Sequence, residues 1–180
     1  LIIFYWLREI QFMIPFAMAA VLSCFSAMWA AAVPFFWKNL LYPPDVRLEG
    51  SESVKAFYRF SPVMEILCTF GLAAWWCCTE WIRTWIFTGL PWNLLSVTQW
   101  QNISVIQICE YTGIYGVSFM IVSINIALFF AAAGLKRSLA EGKYKRPFPL
   151  IIAVVIVMVS SVAGIKMLSM RSSQFKNTYD

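Results

Sequence analysis

From Ile10 to Trp37 the chain runs for 28 residues without a charge. As a helix at about 1.5 Å per residue this stretch reaches about 42 Å. A bilayer's hydrocarbon core is only about 30 Å thick, so the segment must tilt or protrude. Three more apolar runs follow, at about 62–87, 113–133 and 148–168. Membrane barrel strands need only about 9–11 residues and alternate in polarity. These runs are roughly twice that long and do not alternate, so length assigns them to helices. Composition agrees. The chain is 61% hydrophobic and 13% charged, with a mean hydropathy of +0.70, where a soluble domain is about a quarter charged. The predicted fold class is all-α, a polytopic transmembrane helical bundle of four full spans plus an N-terminal stub at Leu1–Leu7. Pro15 falls in a first turn, where proline is tolerated, whereas Pro34 is expected to end or kink its span. The sequence opens inside an apolar run without Met, shows no basic leader or cleavage site, and closes on the polar RSSQFKNTYD. It is expected to be an internal stretch of a longer protein, with residues 1–170 as the bundle and 171–180 as a tail.

The loops set the orientation. Residues 134–147 carry Lys136, Arg137, Lys143, Lys145 and Arg146 against Glu141, and residues 38–61 carry Lys38, Arg47, Lys55 and Arg59. Residues 88–112 carry no Lys or Arg. The positive-inside rule puts the two basic loops in the cytoplasm and the 88–112 loop outside, with the C-terminal tail on that outer side by parity. The net charge of +5 is explained by those loops, and no reading motif supports a nucleic-acid partner. The 88–112 stretch is uncharged up to Glu110 but holds Asn93, Gln99, Gln101, Asn102 and Gln107. That is too much polarity for a lipid-exposed span, so it reads as an ordered loop with interfacial helical pieces.

The chemistry-bearing residues are few. There is no histidine, which removes a His-based triad and the commonest metal ligand. Cys24, Cys68, Cys77, Cys78 and Cys109 form no C-x-x-C pair and read as small packing residues. Cys109 stands beside Glu110, the wrong neighbour for a reactive thiolate. No nucleophile–base pair or metal cluster is apparent, and no cofactor is expected. Glu80 and Arg83, three apart near the outer end of the second span, share a helix face. They read either as a structural ion pair or as a polar wall for a lipid headgroup or docking domain. Glu65, at the inner end, is expected at the interface. Trp81 and Trp85 fit an interfacial belt, and the deeper Trp75 and Trp76 are expected to pack, against acyl chains or neighbouring helices. Gly116, Met120, Ser123 and Ala127 form a stripe suited to close helix approach. Ser118 and Asn125 are expected to hydrogen-bond between helices, and Lys166 to snorkel. The triplet NIS at 102–104 is a glycosylation pattern without a supporting context.

The run TEWIRTWIFTGLPWNLLSVTQW, followed by YTGIYGVSFMIVSINIALF, resembles the membrane part of bacterial apolipoprotein N-acyltransferases. That family shows Glu-x-x-Arg before a Gly-Phe-Pro-Trp turn, a nearby Ser-Gln, and a Gly-Val-Ser-Phe-like start to the next span. The matching residues here are Glu80, Arg83, Gly89, Pro91, Trp92, Gln99 and Gly116 to Phe119. Leu90 stands where Phe is usual, Val97-Thr98 where Tyr-Ser is common, and the 38–61 connection is longer than usual. The resemblance covers nearly the whole chain, as the end of the third through the seventh of eight spans.

It implies a bacterial inner-membrane enzyme whose outer, nitrilase-like domain would follow residue 180. That domain carries a Glu-Lys-Cys triad, to which no residue here corresponds. Through a thioester it passes an acyl chain from a phospholipid donor to the N-terminal amine of a diacylglyceryl lipoprotein acceptor. The chain on its own is then expected to be inactive, monomeric and in contact with membrane lipid. Glu80, Arg83, Trp85, Pro91, Trp92 and Gln99 become candidates for a lipid or substrate cavity. Two other classes stay open: a non-catalytic membrane module or docking subunit, and the membrane segment of a fused glycosyltransferase. A transporter would want paired broken helices in both halves, which the sequence lacks.

Overall fold

The computed structural model describes residues 12–41, 62–86, 89, 91–141 and 146–179. The stub at Leu1–Leu7, the 38–61 connection beyond Leu41, Leu90 and the loop residues 142–145 lie outside the described residues. Four long helices carry the fold: α1 (Ile14–Leu41), α2 (Pro62–Trp85), α5 (Ile114–Glu141) and α6 (Phe148–Tyr179). Between α2 and α5 come a 3-10 turn, η1 (Leu95–Gln99), and two one-turn helices, α3 (Ile103–Ile106) and α4 (Cys109–Thr112). All four long helices contain a stretch long and apolar enough to cross a membrane. The described residues form no strand, and the chain is the helical bundle its sequence predicts.

Boundaries differ from the sequence reading at three places. Helix α1 runs through Pro34 to Leu41 instead of stopping there. In an apolar environment no water competes for the freed carbonyl, and helical geometry remains the best way to pair its neighbours. Helix α5 continues past residue 133 to Glu141. Helix α6 continues past residue 168 to Tyr179, so residues 171–179 extend a helix and do not form a separate polar segment. At 32 residues α6 is about 48 Å long and must project beyond a ~30 Å core.

Packing follows small and buried positions. Helix α2 contacts α5 most extensively, α1 packs on α2, and α5 packs on α6. The buried residues of α2 recur as Glu65, Cys68, Thr69, Leu72, Ala73, Thr79, Glu80 and Arg83. This is one stripe at helical spacing. The most apolar window of α1 has 0% of its residues buried, so α1 lies at the edge of the described bundle. On α5, Met120, Ser123 and Ala127 are buried as the stripe predicts. Gly116 serves a different purpose. A Cβ there would overlap the Thr112 side chain of α4, so it admits the preceding loop and not a spanning helix.

The 88–112 loop is a core element. Val105 of α3 forms a buried cluster with Val117 and Met120 of α5, joined by Ile156 and Val157 of α6. Gln99 and Asn102 share a cavity wall with Ile121, Ile124 and Asn125. The loop therefore descends along α5 by about ten residues from Ile114, roughly 15 Å. The sequence reading laid these helical pieces at the interface, whereas the structure inserts them between α5 and α6. Backbone away from a helix is tolerated at that depth only when protein covers it. Gly164 of α6 makes the cover possible: a Cβ there would overlap the Ser104 carbonyl.

Candidate functional site

Three side chains hold the neck of the inserted loop. Glu80 Oε1 accepts the Leu95 backbone N–H at 2.8 Å. Ser118 Oγ accepts the Ser96 N–H at 3.1 Å. Arg83 donates from Nη2 to the Asn93 carbonyl at a longer 3.5 Å. The chain enters this neck by a sharp reversal. Gly89 has φ +88°, and a Cβ there would lie 2.8 Å from the Thr84 carbonyl oxygen. Glycine alone fits that turn without strain. Asn93 also has positive φ, at 57°, a conformation asparagine adopts more readily than most residues.

Glu80 and Arg83 share a face as expected, but they do not meet as an ion pair. Each turns to loop backbone instead. They are only 3% and 8% exposed, and Glu80 Oε2, Arg83 Nε and the Ser96 hydroxyl have no hydrogen-bond partner among the described residues. Burying charge is costly unless other groups compensate. Here the compensation comes from the attraction between the two charges and from the Leu95 amide and the Asn93 carbonyl, backbone groups of a kind that a helix turning into irregular chain leaves unpaired. Ser118 and Asn125 also differ from expectation. Ser118 bonds the loop, and Asn125 donates to the Ile121 carbonyl of its own helix at 2.8 Å. Glu65, expected at the interface, is buried.

The remaining candidates spread over the end of the bundle where α2 finishes and α5 begins. Trp85 is 72% exposed and lies 6.1 Å from Trp81, ring centre to ring centre. Pro91 and Trp92 are exposed beside the reversal. Gln99 lies deeper, on the wall of a cavity of about 210 Å³ with Asn102 and Asn125. The six candidates thus do not form one pocket: Glu80 and Arg83 fix the neck, the aromatic residues face outward, and Gln99 lies at the loop's tip.

A second, larger cavity of about 430 Å³ opens between α1, α2 and α5. Leu95, the residue whose amide Glu80 holds, lines it. Trp76 lines it too and meets Trp29 edge-on at 5.6 Å, while the Trp29 indole donates to the Leu72 carbonyl at 3.0 Å. The expectation that Trp76 packs within the bundle therefore holds. Sequence reasoning missed Trp29, Asn93, Ser96 and Gly164. Only Asn93, after Pro-Trp in a turn, carried a local signal.

None of the five cysteines is paired. Burial pushes the Cys109 thiol above its ordinary range, the opposite of what a nucleophile needs. The described residues hold no group of three or more potential metal ligands. Arg171 of α6 pairs with Glu110 of α4 at 2.7 Å, which puts the end of the loop and the projecting part of α6 at the same end of the bundle.

The family of the apolipoprotein N-acyltransferase N-terminal domain matches residues 1–127. The chain belongs to that family. The match takes in α1, α2, the inserted loop and the first half of α5. Similar curated proteins are all named apolipoprotein N-acyltransferase. The one from Geobacter metallireducens is 32% identical over 108 residues, 58% of this chain and 19% of that protein. The one from Rickettsia typhi is 49% identical over 54 residues, 30% of this chain and 11% of that protein. The one from Rickettsia bellii is 40% identical over 60 residues, 33% of this chain and 12% of that protein. The match thus spans at most about a fifth of these relatives (19% of the longest-matched). No solved structure matches the chain.

Proposed function

We propose that this chain is the membrane part of an apolipoprotein N-acyltransferase of the bacterial inner membrane. The reaction would move an acyl chain from a phospholipid to the N-terminal cysteine amine of a diacylglyceryl lipoprotein. A thiolate in a following nitrilase-like domain would attack the phospholipid ester, releasing a lysophospholipid and forming a thioester. The lipoprotein amine would then attack that thioester and free the thiolate. This chain would supply orientation, placing the donor lipid so that the attack is effectively intramolecular.

The observation that carries this reading is the held neck of the loop. Glu80, Arg83 and Ser118 fix the backbone at Asn93, Leu95 and Ser96. That would form a floor at the end of the bundle where Trp85, Pro91 and Trp92 are exposed. The absence of Lys and Arg from 88–112 supports placing this end in the periplasm, with loops 38–61 and 134–147 cytoplasmic. In this role Glu80 and Arg83 are positioning residues, Trp85 and Trp92 border the approach of the lipid, and Gln99 seats the loop's tip. The chain would act as a monomer without a cofactor.

The test is Arg83→Ala in a full-length enzyme that carries this segment. Releasing the Asn93 carbonyl should lower acyl transfer at least tenfold, mostly through KM for phospholipid. Unchanged transfer at normal protein levels overturns the role of the neck.

A further inference from the structure

One face of α6 turns toward the rest of the bundle. Ala153 and Ser160 are buried on it, Val157 packs on the Val105 cluster, and Gly164 admits the Ser104 carbonyl. Steps of three and four residues keep these positions on one seam. Two further turns of helix bring the same seam to Arg171, whose guanidinium donates to the Glu110 carboxylate at 2.7 Å. Here the helix has left its cover, since residues 169–174 are all exposed. Ser169, Ser172 and Ser173 turn their hydroxyls onto carbonyls of their own helix at 2.8, 2.8 and 2.7 Å. Such back-bonding weakens helices and bends them. Glu110 stands on firmer ground, because its neighbours Ile108 and Cys109 pack against the buried cluster. The pair thus joins a projecting, bendable helix to an anchored loop 61 residues away in the chain.

The two side chains are 56% and 48% exposed, and an ion pair so wetted contributes little to stability. What it can do is choose between directions of a helix that bends easily, because a small free energy suffices where the alternatives differ little. We infer that Arg171 and Glu110 are positioning residues: they fix the direction in which α6 leaves the bundle, and with it the placement of the following catalytic domain over the held neck of the loop. This inference rests on the acyl-transfer reading above. In that reading the neck orients the lipid, and the pair brings the thiolate to it. A misdirected helix leaves lipid binding alone but makes the attacking geometry rarer. The loss then falls on kcat and not on KM.

The experiment is a charge swap in the full-length enzyme. Arg171→Glu and Glu110→Arg each turn the attraction into a repulsion. Each should lower kcat for acyl transfer by roughly 2- to 30-fold with KM for phospholipid unchanged, the opposite split from that expected of Arg83→Ala. The double variant restores an opposite-charge pair and should recover most of the loss. Both side chains are half exposed, so the single variants should fold normally. A second readout is independent of activity. Spin labels on unnatural side chains at Ile103 and Ser173, both exposed, leave the five cysteines in place. The distance distribution between them should be narrow in the wild type, broad in each single variant and narrow again in the double. Wild-type kcat in either single variant overturns the inference. So does a double variant no better than the worse single one, a loss confined to KM, or a distance distribution that the single variants leave unchanged. If the distances respond as expected but the wild-type enzyme transfers no acyl chain, the acyl-transfer reading fails while the pair's hold on α6 stands.

Discussion

Gly164→Ala should destabilise the protein, although the same change at Gly134, also inside a long helix, should stabilise it. In a helix interior, replacing glycine by alanine ordinarily gains about 0.5–1 kcal/mol, because glycine loses more freedom on folding. At Gly164 the added Cβ would overlap the Ser104 carbonyl oxygen, approach the Ser104 carbonyl carbon to 2.8 Å and the Gln107 Cβ to 3.2 Å. Two of those atoms are backbone, so no rotamer change relieves them. Helix α3 and its loop must move off α6, disturbing the cluster of Val105, Val117 and Met120. Overpacking of this kind costs about 1–3 kcal/mol. Less the propensity gain, the net loss is up to about 2.5 kcal/mol, or up to roughly 10 °C in melting temperature for a chain of this size. Gly134→Ala is the matched control, since nothing lies within 4 Å of a Cβ there, and it should raise the midpoint slightly. The assay is thermal unfolding of both variants in one detergent, followed by circular dichroism. If Gly164→Ala melts at or above the wild-type temperature, the loop does not rest on α6 and the inserted arrangement is wrong.

Two further outcomes follow from the same contacts. Glu80→Ala leaves the Leu95 N–H without its acceptor, at a cost of about 1–3 kcal/mol. Hydrogen exchange should then accelerate at residues 93–97 while α2 and α5 stay protected, and uniform acceleration would mean that Glu80 supports the whole bundle. Cys109 carries a thiol whose pKa burial raises, so its reactive thiolate is scarce at neutral pH and increases as pH rises. Its alkylation by a water-soluble maleimide should climb continuously from pH 7 to 9, and a plateau below pH 8.5 would contradict the burial.

Much of the fold was legible because a membrane simplifies the problem. A span must satisfy its own backbone, so a long charge-free run can only be a helix. The family was legible from one local string around Glu80, Arg83, Gly89, Pro91 and Trp92, where several uncommon residue types recur at fixed spacing. The inserted loop was half legible. Its polar residues excluded a span, but whether such a loop lies on the surface or enters the bundle depends on what covers it. That cover is made by Gly164, 60 positions after Ser104, through an absent side chain that leaves no pattern in sequence.

The sequence by itself determined that the chain is a helical membrane bundle, and that Glu80 and Arg83 face the same way, because hydropathy and helical periodicity act over a few residues. Only the tertiary structure decided what those charges bind. From sequence the nearest opposite charge is the natural partner. In the folded chain the loop brings unpaired amides and carbonyls to the end of α2, and buried charges pair with whatever polar groups the fold delivers. The apolar cavity is likewise a property of three helices together. Trp29 and Phe129 are a hundred residues apart in the chain and ordinary in their own segments, and they become walls of one space only when α1 and α5 pack around α2.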